Sequence, residues 1–113
     1  MSNILYVGID VSSLTNVVYI MLPNGREYAS FSVDNSLYGA KYIVKASIKA
    51  LKAKRLKEIH FGLEATSIYG KNLIYYLNDD ESLKSYNHKI FEFNPLQVSK
   101  FKASYPDYKR MIL

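Results

Sequence analysis

The sequence contains no cysteine. That excludes disulfides, zinc–thiolate sites, thiol nucleophiles and iron–sulfur clusters. Two histidines, His60 and His88, are too few and too far apart for a histidine metal site. No apolar run approaches the roughly 18–20 residues of a membrane span, and the first residues lack a basic segment followed by a long apolar stretch. No membrane attachment is therefore expected, and a soluble cytoplasmic protein is the default. There is no low-complexity stretch, internal repeat or linker. What remains is an ordinary globular balance: 113 residues, 49% hydrophobic and 22% charged. That is enough chain for one domain with a core that needs no covalent staples.

Acid is also scarce. Ten acidic residues stand against fifteen basic ones, a net charge of +5. The imbalance is concentrated between positions 41 and 57, which hold seven basic residues (Lys41, Lys45, Lys49, Lys52, Lys54, Arg55, Lys57) and no acid. A local field of that sign suits a polyanion such as nucleic acid. A solvated helix face would carry the same residues.

Residues 4–11 are apolar and β-branched, as in a strand. A second apolar run, 16–22, leads into Pro23-Asn24-Gly25. Asn-Gly is a strong hairpin signal, with both turn positions tolerant of positive φ. Residues 27–33 then alternate, as a half-buried strand should. After the cap-rich Asp34-Asn35-Ser36, apolar residues at 37, 40, 44, 48 and 51 recur at helical steps. Lys41, Lys45, Lys49 and Lys52 form a stripe on another face. Residues 58–65 return to strand alternation. Thr66-Ser67 offers an N-cap for a helix over 68–77, residues 89–93 form a short strand, and Asn94-Pro95 opens a last helix. The expected order is βββαβαβα, an α/β mixed sheet with helices on its faces. Right-handed crossovers place the fourth strand parallel to the first, on the side the hairpin leaves open.

In that arrangement two acids approach one another. Asp10 ends the first strand and Glu64 ends the fourth, each two residues after a glycine (Gly8, Gly62). Hydroxyl residues follow both (Ser12-Ser13, Thr66-Ser67). The carboxyl ends of parallel strands are where open α/β sheets bind ligands. Two close carboxylates repel unless a cation lies between them. Hard oxygen donors favour Mg²⁺ or Mn²⁺, and such ions clamp the reacting oxygens of a phosphodiester. Taken singly, Asp10 fits a cap on the turn after its strand equally well, and Glu64 fits a charge at the next helix's N-terminus. His60 reads as a satisfied strand histidine. Asp79-Asp80-Glu81 reads as a solvated acidic loop, and Tyr69, Tyr75 and Tyr76 as packing residues of a helix.

Three segments in series carry a family resemblance. Val7-Gly8-Ile9-Asp10-Val11-Ser12 resembles the opening of the bridge-RNA-guided DEDD transposases, insertion-sequence family 110. So do Phe61-Gly62-Leu63-Glu64-Ala65-Thr66 followed by Tyr69-Gly70, and Asn94-Pro95 followed by Val98 and Phe101. The resemblance covers nearly the whole chain. It implies an RNase H-like (RuvC-like) N-terminal domain of a recombinase that uses two Mg²⁺ ions, works on DNA with a structured guide RNA, and self-associates in its full-length form. It makes Asp10 and Glu64 the first two catalytic, metal-holding acids. Lys41, Lys45, Lys49 and Lys52 are the expected nucleic-acid contacts.

The family's third and fourth acids follow in a Lys-Thr-Asp-x-x-Asp-Ala pattern. Here the chain runs Tyr108-Lys109-Arg110-Met111-Ile112-Leu113, with the third acid expected near Ile112. Asp107, beside Pro106, reads as a turn residue. The expectation is a single domain over 1–113, truncated before the last two acids and the serine-bearing C-terminal domain. Such a chain binds nucleic acid but is inactive alone. Two alternatives stand beside it. One is a non-enzymatic module that binds nucleic acid or an intact transposase. The other is an actin- or sugar-kinase-like half domain, which also opens with Gly-x-Asp and a hairpin. Val11-Ser12-Ser13 departs from the glycine-and-threonine phosphate turn of those kinases.

Overall fold

Along β1 (Ile4–Val11), Leu5, Val7 and Ile9 are almost wholly buried, while Asp10 between them and the turn is exposed. This is the period-two pattern of a strand with one face on a core. The computed structural model describes residues 3–64 and 68–93. β2 (Thr15–Met21) and β3 (Glu27–Asp34) follow as antiparallel neighbours. After them come the helix α1 (Leu37–Ala53), β4 (Glu58–Glu64), a 3-10 turn (Ile68–Gly70), α2 (Lys71–Asp79), the one-turn α3 (Glu81–Lys84) and β5 (Lys89–Phe93).

The five strands form one mixed sheet in the order β3-β2-β1-β4-β5. β4 lies parallel to β1 on the side away from the hairpin, as expected, and β5 lies parallel to β4. The class is therefore α/β. One apolar cluster joins Val7, Ile20, Phe61 and Leu63 of the sheet to Ile43 and Leu51 of α1, Leu73 and Leu77 of α2, and Leu83 of α3. The helices thus pack on the sheet face that carries Leu5, Val7 and Ile9. The other face carries Tyr6, Gly8 and Asp10 of β1, with Tyr19, His60 and Phe91 at partner positions. There His60 meets Tyr6 edge-on at 5.7 Å and Phe91 at 5.3 Å.

Three local features differ from the sequence reading. The hairpin is present, but its turn has positive φ only at Gly25. Gly25 N donates to Leu22 O at 2.9 Å and Leu22 N donates to Arg26 O at 2.8 Å, so Pro23-Asn24 form an ordinary turn followed by a left-handed glycine. Pro23 has no N–H to donate to Arg26 across a two-residue Asn-Gly turn, and Leu22 N makes that bond instead, which selects this longer loop. Second, the acidic run 79–81 is not a loop. Asp80 caps α3, its Oδ1 accepting from Ser82 N at 2.9 Å and Leu83 N at 3.2 Å. Third, the helix read over 68–77 begins as a 3-10 turn and extends to Asp79.

The Thr66-Ser67 cap, the helix after Asn94-Pro95, Asp107 and the region of the third acid lie outside the described residues. Among the described residues, no helix is long and apolar enough to cross a membrane.

Candidate functional site

The last paired residues of β1 and β4 are Ile9 and Leu63, and upstream pairs include Tyr6 with His60 and Gly8 with Gly62. Paired positions of parallel strands fall on the same side of the pleat, about 4.8 Å apart. Asp10 and position 64, each one residue further on, are therefore side-by-side backbone positions at the carboxyl edge of the sheet. They share the face of Gly8 and Gly62. Register alone sets the backbone positions of the two sequence-predicted acids side by side.

Asp10 is exposed. It does not cap its turn; Ser12 does. Ser12 Oγ donates to Thr15 O at 2.6 Å and accepts from Thr15 N at 3.1 Å, while Ser12 N donates to Thr15 O at 3.0 Å. Among the described residues the Asp10 carboxylate makes no hydrogen bond or ion pair. Its neighbour across the opposite strand pair is Val17, with Tyr19 one step away opposite Gly8. The Tyr19 phenol is pushed above its usual range, first by burial and then by the negative charges of Asp10 and Glu27. An exposed carboxylate without a partner among the described residues, at the edge where the parallel strands end, fits a hard divalent cation in donor chemistry. Among the described side chains no three His, Cys, Asp or Glu residues cluster as a metal site.

The turn after β1 and the 3-10 turn Ile68–Gly70 are tied by one side chain that the sequence reading took only for part of a cap. Asn35 Nδ2 donates to Ser12 O at 2.8 Å and to Tyr69 O at 3.0 Å. Its Oδ1 accepts from Asn16 Nδ2 at 3.4 Å, and its backbone N donates to Leu14 O at 2.9 Å. The turn after β1, the 3-10 turn Ile68–Gly70 and the β3–α1 junction are thus held to one amide. Asn16 itself is 1% exposed, and its Oδ1 has no hydrogen-bond partner among the described residues. On the helix side of this junction a cleft of about 460 Å³ is lined by Ser13, Asn35, Ser36, Tyr69, Asn72 and Tyr76.

The other predicted residues fall elsewhere. Lys41, Lys45, Lys49 and Lys52 are all exposed on α1, which packs on the opposite sheet face from Asp10. His60 is a satisfied strand residue, with Nε2 3.1 Å from Glu58 Oε2. Glu58 is held below the usual carboxylate range, chiefly by a hydrogen bond from Asn87 at 3.1 Å and then by His60. Tyr69 and Tyr75 are exposed by half or more, whereas Tyr76 packs on the core and its phenol is raised by burial and by Asp80.

Comparison with known proteins gives one strong result. A family model described as a transposase, of the DEDD type and insertion-sequence family 110, matches residues 7–110. No curated protein matches the chain. Among solved structures the chain is similar to Pelota from Archaeoglobus fulgidus, at a TM-score of 0.45 and 10% identity. That alignment covers 95% of this chain and 34% of Pelota, so the chain spans about a third of that protein's length.

Proposed function

The chain belongs to the DEDD transposase family of insertion-sequence family 110, and on that footing we propose that it is the N-terminal, RNase H-like (RuvC-like) domain of a DNA transposase. The reading fits the mixed five-stranded sheet with an antiparallel hairpin on one flank and parallel strands on the other. The observation that carries it is the parallel register of β1 with β4. Through that register Asp10 and Glu64, the family's first two acids, occupy adjacent positions at one edge. The actin-like alternative loses its ground to the family match.

In this reading Asp10 and Glu64 hold Mg²⁺, whose chemistry is to neutralise phosphate charge and activate an oxygen nucleophile. Asp10 suits that role because Ser12 relieves it of turn capping. Tyr19 walls the site from the β2 side. The Asn35 clamp ties the turn after β1 to the 3-10 turn Ile68–Gly70, on the side of the sheet edge where both strands end. Lys41, Lys45, Lys49 and Lys52 contact nucleic-acid phosphates, of DNA and of a structured guide RNA. After Asn94-Pro95 the sequence carries no Asp-x-x-Asp pair. The binding-module reading remains as the second one, supported by the acid-free lysine face of α1.

The test is Mn²⁺ binding, followed by the spin-resonance signal of the free ion. The wild-type chain is expected to bind Mn²⁺ in competition with Mg²⁺, and Asp10→Asn and Glu64→Gln are each expected to weaken binding about tenfold or more. Equal binding by all three proteins would remove the acids from the site and leave the binding module.

A further inference from the structure

α1 is 17 residues long and contains no acid. At 100° per residue, Tyr38, Lys41, Tyr42, Lys45, Lys49 and Lys52 fall within one arc of about 100° on the side opposite the core. Two large rings therefore share the solvent face with four cations. Tyr38 is 83% exposed and Tyr42 is 54% exposed. A single exposed tyrosine is unremarkable on a protein surface. These two line the same feature, a shallow groove of about 350 Å³ between α1 and the edge strand β3, together with Thr15, Ser32, Val33 and Gly39. The Tyr42 ring is held in place by Phe31 of β3, edge-on at 5.1 Å and 77°. Further along the same strand, Lys54 Nζ sits 5.8 Å from the centroid of the Tyr28 ring, a pairing of cation with aromatic face.

The two chemistries are not mixed at random across the helix. Around the arc Lys41, Lys52 and Lys45 form one flank, Tyr38 and Lys49 the middle, and Tyr42 the flank nearest β3. Asp34 lines the groove itself and disfavours an anion there. A polyanion would run its charges along the lysine flank and turn its apolar rings toward the groove. That is the layout of a single strand with phosphates on one side and bases splayed to the other, stacking on aromatic faces. In a duplex the bases are stacked on one another and do not reach such a groove.

We propose that the groove between α1 and β3 stacks bases of an unpaired DNA strand on Tyr38 and Tyr42, while Lys41, Lys45, Lys49 and Lys52 hold its phosphates. The proposal rests on the nucleic-acid reading above and adds strand state to it. DNA is the polymer because a transposase works on DNA strands. Tyr38 has no core role and is free to vary without loss of the fold, so it is the residue to test.

The experiment measures fluorescence anisotropy of labelled oligo(dT), of a duplex of equal length and of oligo(rU), each titrated with the full chain. Wild type is expected to bind oligo(dT) more tightly than duplex. Tyr38→Ala is expected to lower oligo(dT) affinity about tenfold and leave duplex affinity unchanged, and Tyr38→Phe to restore it. Lys45→Glu with Lys49→Glu is expected to weaken both polymers, because it removes phosphate contacts. If Tyr38→Ala leaves oligo(dT) binding intact, or lowers duplex binding in parallel, stacking is overturned while the lysine contacts stand. If oligo(rU) binds more tightly than oligo(dT), the assignment to DNA is overturned. If no polymer binds at all, the nucleic-acid reading falls together with this one.

Discussion

Asn35 joins three stretches of chain that are far apart in sequence, with partners at positions 12, 16 and 69. Its two donated bonds end on Ser12 O in the turn that leaves β1 and on Tyr69 O in the 3-10 turn, so it ties those two turns together. Removing the amide leaves two carbonyls and the buried Asn16 donor short of partners. Asn35→Ala is expected to cost about 1–3 kcal/mol of stability, read as a lower urea midpoint with an unchanged slope. Asn35→Asp keeps the acceptor for Asn16 and loses both donated bonds, so it should fall between wild type and the alanine variant. None of this was legible in the sequence, where Asp34-Asn35-Ser36 reads as a local helix cap. Ser36 is indeed the cap, accepting from Gly39 N at 3.2 Å. Asn35's partners are fixed only by the tertiary fold. Asp10 was the opposite case: its place at a strand's end, two residues after glycine, is written in the local pattern. That it does not cap its turn required the Ser12 geometry.

At the scale of elements, the legible features were those encoded by period. Alternation marked the strands, and the lysine stripe marked the solvent face of α1, because those patterns repeat within a few residues. What was not legible depended on single-residue backbone geometry. α3 is one turn long, too short to show a period, and the acid run that builds its cap reads as loop. Both ends of α1 show the same limit. At its start, Gly39 presses against the end of β3, and a Cβ there would lie 1.9 Å from Asp34 O. At its end, Leu56 N donates to Leu51 O at 2.9 Å and Arg55 N donates to Lys52 O at 3.2 Å. This is a Schellman closure with Arg55 at φ 54° where glycine is usual. Two substitutions of opposite sign follow. Gly39→Ala forces backbone apart and is expected to destabilise by about 1–3 kcal/mol. Arg55→Gly relieves a left-handed residue and is expected to stabilise by about 1 kcal/mol. One set of urea titrations reads both, and two shifts of the same sign would contradict the backbone account.

At the scale of the whole molecule, the two proposed sites lie on opposite sides of one sheet. Positions 10 and 64 fall at the edge of the face shared by Gly8 and Gly62, and the lysine-rich helix covers the other face. On the proposed reading a cation and a polyanion have separate primary contacts, and each can be mapped without the other. Paramagnetic broadening of backbone amide signals by trace Mn²⁺ tests the central claim most directly. The account predicts loss of signal centred on Gly8 to Ser12, on Gly62 and Leu63, and on Tyr19 opposite Gly8, with the α1 amides from Lys41 to Lys52 unaffected. The same titration on Asp10→Asn should leave those signals intact. Broadening centred instead on Asp79, Asp80 and Glu81, or spread evenly over all exposed acids, would contradict a cation site built by the parallel register of β1 and β4.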